Sequence, residues 1–385
     1  MKNKSQVKII RLTRRQFLKG TGLSLVGLGM GPLLSSCGPA ATPTPEEIKI
    51  GGGIQFMSWE GYDLRGCMEA WEGEHNATME SAYIGDHAEI QAKLAAVEPG
   101  LYDLITFYHA YSDLYAKELK IIQPLDEDKL PNLEDLIDLF KTGRWWVSED
   151  GTRWGVPFTW GAEGVNYNAD EIDPVESWFD LLKPEFKGRI ALVDDLMATA
   201  LIGAHLAGLA GEYPYLTQEQ LAQVFEALQP LKEQSRAIAP SYGDLTEMLV
   251  SGEVVAGIPG WAAVGAWAQD RDVNVKTSFT KEGHFTFIDA FAIPVGSDNV
   301  ETVMAWINHA ISPEIQACQA KALAAGVVNP KAIPLLDETI ATLFPYDAID
   351  EFFQKNPVYD LPPLKSDQYA TYDDWLAGWE AFKAG

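Results

Sequence analysis

The chain has 385 residues, 47% hydrophobic and 22% charged, with a formal net charge of −26. That length allows two domains of ordinary size, and the apolar content excludes a disordered chain. So acidic a surface argues against nucleic acid or anionic lipid as a partner and favours cationic ones.

The charge is unevenly spread. Seven of the 29 Lys and Arg residues fall in residues 1–37, which hold no acid, so the remainder sets 22 basic residues against 55 acidic ones, a formal −33. Residues 13–20, "TRRQFLKG", look like a twin-arginine export signal, with Arg14 beside Arg15 and then Phe17, Leu18 and Lys19. The Gly-rich apolar stretch of residues 23–34 is too short for a helix that crosses a bilayer, which takes roughly 20 residues. "LLSSCG" follows and resembles a bacterial lipobox, which makes Cys37 the expected lipidation site and the new N-terminus. Residues 38–47, "GPAATPTPEE", read as an extended tether. The expected location is therefore outside the cytoplasmic membrane, reached by the twin-arginine route and held by lipid.

Beyond the tether, strand-like and helix-like runs alternate. Strands are predicted over 48–59, 78–83, 101–106, 164–168, 189–193, 254–258 and 287–294. Helices are predicted over 64–73, 87–97, 196–210, 218–234, 245–251, 299–311 and 314–325. Thr217 with Gln220 has capping-box spacing, and Ser312 before Pro313 reads as an N-cap with Pro at the first helical position. Asp150-Gly151 turns a hairpin within 147–157. The alternation predicts α/β layers around mainly parallel sheets. Cys67 and Cys318 could pair outside the cytoplasm or stay as two buried thiols.

Catalytic and cofactor motifs are missing. There is no C-x-x-C, no H-E-x-x-H, no phosphate loop and no G-x-S-x-G in the mature chain, and the six His show no ligand spacing. No cofactor, no metal and no enzymatic activity are expected, although paired acids such as Asp194-Asp195 leave a glycosidase as an alternative. What the chain does carry is a set of acids and aromatics where strands end. "MSWEGYD", residues 57–63, puts Trp59 and Tyr62 beside Glu60 and Asp63. "RIALVDD" ends on Asp195, and in "HFTFIDAFAIPVG" Asp289 interrupts an apolar run. A carboxylate inside such a run is costly unless it is paired or faces a cleft, and open α/β sheets bind ligands at the carboxyl ends of their strands.

These stretches also carry a resemblance. "SWEGY", "YDLITFYHAYSDLYAKELKIIQPLDEDKLPNL", "GVPFTWGAEGVNYNADEIDPVESWFDLLKPEFKGRIALVDD", "SGEVVAGIPGWAA" and "FIDAFAIPVGSDN" resemble, in order and spacing, the polyamine-binding branch of bacterial ABC-transporter substrate-binding proteins. The likeness runs from about residue 48 to the end. It implies a two-lobe periplasmic-binding-protein fold of type II, with the ligand in a cleft between lobes joined by crossover strands. On this chain one lobe would hold 48–155 and 290–340, and the other 156–289 and 341–385. The implied function is that of a monomeric lipoprotein that binds a small cationic amine, such as spermidine or putrescine, and passes it to a membrane permease. The same fold with a neutral ligand such as a sugar, stacked on Trp59, is the alternative; a hydrolase using Asp195 and Glu163 is a more distant one.

Carried over residue by residue, the resemblance makes Trp59 and Tyr62 an aromatic clamp. Asp195 and Asp289 become acids that meet amines, and Phe287 a cleft aromatic. Trp261 stands one position from another family Trp. Departures are specific: Tyr108 and Ala110 stand where the family often has Ser and Tyr, and Ala198 where it has a further acid, which Glu163 could replace. Trp145, Trp146 and Trp154 are expected to pack the core or hinge.

Overall fold

A computed structural model describes residues 49–385, apart from 86, 97 and 98. The twin-arginine motif, Cys37 and the whole of the tether lie outside the described residues. The strands are β1 (Gly52–Ser58), β2 (Ala77–Tyr83), β3 (Leu104–Tyr108), β4 (Val156–Asn168), β5 (Ile190–Val193), β6 (Ser235–Ala239), β7 (Ala256–Gly260), β8 (Val275–Ser278) and β9 (Phe285–Ala292). The helices are α1 (Glu69–His75), α2 (His87–Ala96), α3 (Asp138–Thr142), α4 (Leu196–Ala207), α5 (Gln218–Gln234), α6 (Tyr242–Val250), α7 (Ala262–Gln269), α8 (Val300–Ala310), α9 (Pro313–Leu323), α10 (Glu338–Ala341), α11 (Ile349–Lys355) and α12 (Tyr372–Ala384).

The strands form one path, β2-β1-β3-β9-β4-β7-β5-β6, with β8 also against β4. Its two ends are parallel: β2-β1-β3 on one side and β7-β5-β6 on the other. Between them every pairing is antiparallel, β3-β9, β9-β4, β4-β7 and β4-β8. The expectation of mainly parallel sheets is corrected here. The 13-residue β4 is met along its first part by β9 and along its last by β8, so β8 and β9 act as one interrupted strand running back along it. These long strands join the two parallel groups of a two-lobe α/β fold. Alternating hydrophobicity gives no direction to a strand, so the sequence pattern could not separate crossing strands from crossover units.

Local chemistry explains most boundaries. The Thr217–Gln220 capping box forms in both directions at the start of α5, and a second, Thr371 with Asp374, starts α12. Ser312 does stand at the N-cap of α9 before Pro313, but its buried hydroxyl makes no cap bond. The helix expected over 64–73 begins only at Glu69, because Leu64 and Gly66 both take positive φ and keep the preceding chain in turns. Cys67 lies in those turns and is bridged to Cys318 of α9, which resolves the open choice in favour of the disulfide. The tryptophan cluster packs away from the strand ends. Trp146 is fully buried near Phe107, Trp145 lies under Arg144 and edge-on to His109, and Trp154 donates to Ser148.

Candidate functional site: an acid-lined aromatic cavity

The carboxyl ends of β1, β3, β5 and β7 converge on one cavity of about 80 Å³, the location expected for a ligand in sheets of this kind. All eight residues singled out in the sequence line it: Trp59, Tyr62, Tyr108, Glu163, Asp195, Trp261, Phe287 and Asp289.

The turn after β1 supplies two of them. The Tyr62 N–H donates to the Trp59 carbonyl, and Gly61 takes φ +87° at the third position, where a type II turn needs glycine. This sets both rings on the cavity. The two acids of the same stretch do not join them: Glu60 is exposed, and buried Asp63 faces Arg65, Ser81 and Tyr83.

The β9 wall follows from the pleat. Phe285, Phe287 and Asp289 are two residues apart, so they share a face. Across from them on β4 stand Glu163, Gly161 and Thr159, in register with Phe285, Phe287 and Asp289. Gly161 is required there, since a Cβ would lie 2.7 Å from the Phe287 ring. Asp289 is 3% exposed and accepts a bond from the Tyr62 hydroxyl. Burial, with the Asp195 charge adding to it and the Tyr62 bond opposing it, pushes the Asp289 carboxyl up to about 7.

The third wall starts at β5. Asp195 follows it as the N-cap of α4, accepting the Ala198 N–H at 3.1 Å and the Tyr242 hydroxyl at 3.3 Å. That hydroxyl also faces Glu163. A phenol has one proton and cannot serve two carboxylates at once. Glu163 is 7% exposed, its Oε2 has no protein partner, and burial followed by the Asp195 charge holds its carboxyl well above the usual range. Ala198, where the resemblance would put another acid, is buried in the first turn of α4 and does not line the cavity. Trp261 opens α7, its carbonyl held by Asn166 at 2.9 Å, and its ring meets Tyr62 and Tyr242 edge-on. Tyr108 ends β3, with its hydroxyl buried and without a protein partner.

Sequence reasoning missed a second group of lining residues: His87 and Tyr111, Tyr242, Phe285, and Tyr372, Leu376, Trp379 and Glu380 on α12. The capping box and aromatic spacing of α12 were visible, but nothing local says where a C-terminal helix docks. It is pinned at Asp194, which receives Trp379 Nε1 at 2.7 Å and Lys383 Nζ at 2.9 Å, while Tyr372 meets Tyr111 hydroxyl to hydroxyl at 2.9 Å. Adjacent aspartates thus divide their tasks, Asp194 to a structural ion pair and Asp195 to the cavity.

The lining holds the acids Glu163, Asp195, Asp289 and Glu380, and no Lys or Arg. Its one imidazole, His87, is lowered to about 3 by burial and is neutral at ordinary pH. Among the described residues no group of three or more His, Cys, Asp or Glu could hold a metal ion.

A two-lobe α/β fold with a cavity at its strand ends is the architecture of extracytoplasmic solute-binding proteins. The chain belongs to the family described as bacterial extracellular solute-binding protein, whose pattern it matches over residues 67–345. It is 26% identical over 322 residues to the spermidine/putrescine-binding periplasmic protein of Salmonella typhimurium, covering 82% of this chain and 90% of that one. It is 25% identical over 357 residues to the putrescine-binding periplasmic protein SpuD of Pseudomonas aeruginosa, covering 86% and 92%. Among solved structures, a putative spermidine/putrescine ABC transporter protein from Listeria monocytogenes superposes with a TM-score of 0.72 at 21% identity, covering 86% of this chain and 98% of that one.

Proposed function

We propose that this protein captures a polyamine-like cation outside the cytoplasmic membrane and delivers it to an ABC permease. The observation that carries the reading is the imbalance at the cavity: besides the exposed Glu380, which pairs with Lys383, three acids, Glu163, Asp195 and Asp289, stand on an aromatic lining without a Lys or Arg. Buried carboxylates without a cation are costly, and removing that cost is what an ammonium ligand would do. Each ammonium facing an aromatic ring gains roughly 0.5–2 kcal/mol, and charge-assisted bonds to the acids add to it. Micromolar affinity needs only about 8 kcal/mol net.

In this reading Trp59, Tyr62, Trp261 and Phe287 surround the alkyl chain and its charges, with Tyr108 closing one side. Asp289 anchors one amine, and Asp195 with Glu163 anchors another. The ligand lies between a lobe of 48–155 with 290–340 and a lobe of 156–289 with 341–385, which close on it by a hinge. Binding without turnover, a monomeric state, lipid attachment at Cys37 and twin-arginine export complete the proposal. The test is a calorimetric titration of the full chain with putrescine, spermidine, spermine and neutral sugars. Micromolar or tighter binding of one amine supports the reading. Silence to every amine with binding of a sugar would overturn it, and so would product release from a glycoside panel.

A further inference from the structure

His87 opens α2 and lines the cavity, although no feature of the sequence marked it. It is 5% exposed, stacks on Tyr111 at 4.1 Å and meets the edges of Trp59 at 5.6 Å and Tyr108 at 5.1 Å. Its two nitrogens differ in surroundings. Nδ1 lies 3.4 Å from the Tyr115 hydroxyl, which donates to the His87 carbonyl at 3.3 Å. A hydroxyl has one proton and a carbonyl can only accept, so when the Tyr115 proton goes to the carbonyl Nδ1 is the donor of its pair. The tautomer of a neutral imidazole is set by such a bond, and the other nitrogen is then a bare lone pair. That other nitrogen, Nε2, is buried and has no protein partner.

We propose that His87 is a specificity-determining contact of the cavity, its bare Nε2 accepting an N–H from the bound amine. This rests on the amine reading above and adds to it an uncharged acceptor beside the three acids. Burial keeps the ring neutral, so it offers a lone pair to a cation without repelling it. A carboxylate attracts any cation in reach, whereas an imidazole lone pair rewards only a nitrogen that still carries a proton in line with it. His87 therefore favours primary and secondary ammonium groups over quaternary ones of the same charge.

The test has two arms on the full chain. The first records ring 15N resonances of the ligand-free protein with labelled histidine at pH 7. The Nδ1–H tautomer of His87 is expected, with its Nε2 resonance moving when spermidine or putrescine is added. A proton on Nε2 in the free protein, or a resonance unmoved at saturation, would overturn the proposal without any variant having to fold. The second arm compares His87→Phe, which keeps the stacking on Tyr111, with His87→Gln, which supplies an amide acceptor. About a ten-fold weaker affinity is expected for His87→Phe, as for loss of one hydrogen bond to a charged group, with partial recovery in His87→Gln. Wild-type affinity in His87→Phe overturns the role of His87 alone. A wild-type protein silent to all amines overturns the amine reading, and the His87 contact with it.

Discussion

The β9 wall of the cavity and the wall at the start of α4 hold their acids in different ways. Asp289 stands inside a strand, fixed by the pleat and by the register with Thr159, and its named partner is the neutral hydroxyl of Tyr62. Asp195 stands at a helix N-terminus, where it caps the Ala198 N–H and where the helix favours negative charge. The first acid is placed by long-range sheet pairing and stripped of solvent. The second is placed locally and does two tasks at once, capping and lining. On the proposed reading an acid of the first kind serves the ligand alone, so its loss should be felt in binding and little in folding. An acid of the second kind cannot be removed without touching the helix.

The largest effect should come from Asp289→Ala, with affinity for the cognate amine falling about 100-fold or more, as when one partner of a buried charge pair is truncated. Calorimetry would show it; unchanged affinity would remove Asp289 as an anchor. The pH dependence comes next. Asp289 is raised from the ordinary carboxylate range to about 7, so between about pH 4 and 7 the folded, ligand-free protein holds a proton that the unfolded chain releases. Its contribution to stability is therefore full below about pH 4 and lost as pH rises through about 7. Ligand binding runs the other way, because a cation selects the ionised acid. Affinity should drop by up to about ten-fold per unit as pH falls below 7, with proton release on binding just below that pH. A flat profile from 5 to 8 would break the contrast between the two walls.

The Asp195 wall should split by substitution. Asp195→Ala is expected to weaken binding about ten-fold and also cost about 1 kcal/mol of stability by losing the cap, whereas Asp195→Asn keeps the cap and loses only the charge. Equal melting temperatures for the two variants would show that capping is not part of the role of Asp195. The smallest effect is that of salt. Raising ionic strength from about 0.05 M to 0.5 M should weaken binding only a few-fold, since enclosed charges are less screened than exposed ones, and a neutral ligand would show no change.

Several parts of this site were legible in the sequence for plain reasons. Trp59 and Tyr62 straddle a glycine turn after β1, and Asp289 interrupts an apolar strand, so local pattern alone marked them as facing something polar, although Asp289 lies inside β9 and not at a strand end as expected. Phe287 was marked by the family resemblance, and the two-residue period of β9 puts it on the face of Asp289. Other parts were not legible. His87 lies at the start of a helix with no periodic signal, and α12 reaches the cavity from the far end of the chain. Asp63, in the same seven residues as the clamp, looked as eligible as its neighbours until Arg65, Ser81 and Tyr83 were seen to claim it.

By itself the sequence determined the chemistry at the turn after β1 and at the end of β5, the α/β alternation and the acidic, aromatic character of the cavity, because these depend on residue type and on spacings within a few positions. Only the tertiary structure decided which strands run against the rest, that Cys67 and Cys318 are joined, that Asp194 is taken by Lys383 while Asp195 is left to the cavity, and that α12 forms a wall. Those outcomes depend on partners as far as 261 residues apart, whose meeting is set by the burial of whole faces and by the pairing of buried polar groups, neither of which is written in any local stretch of the chain.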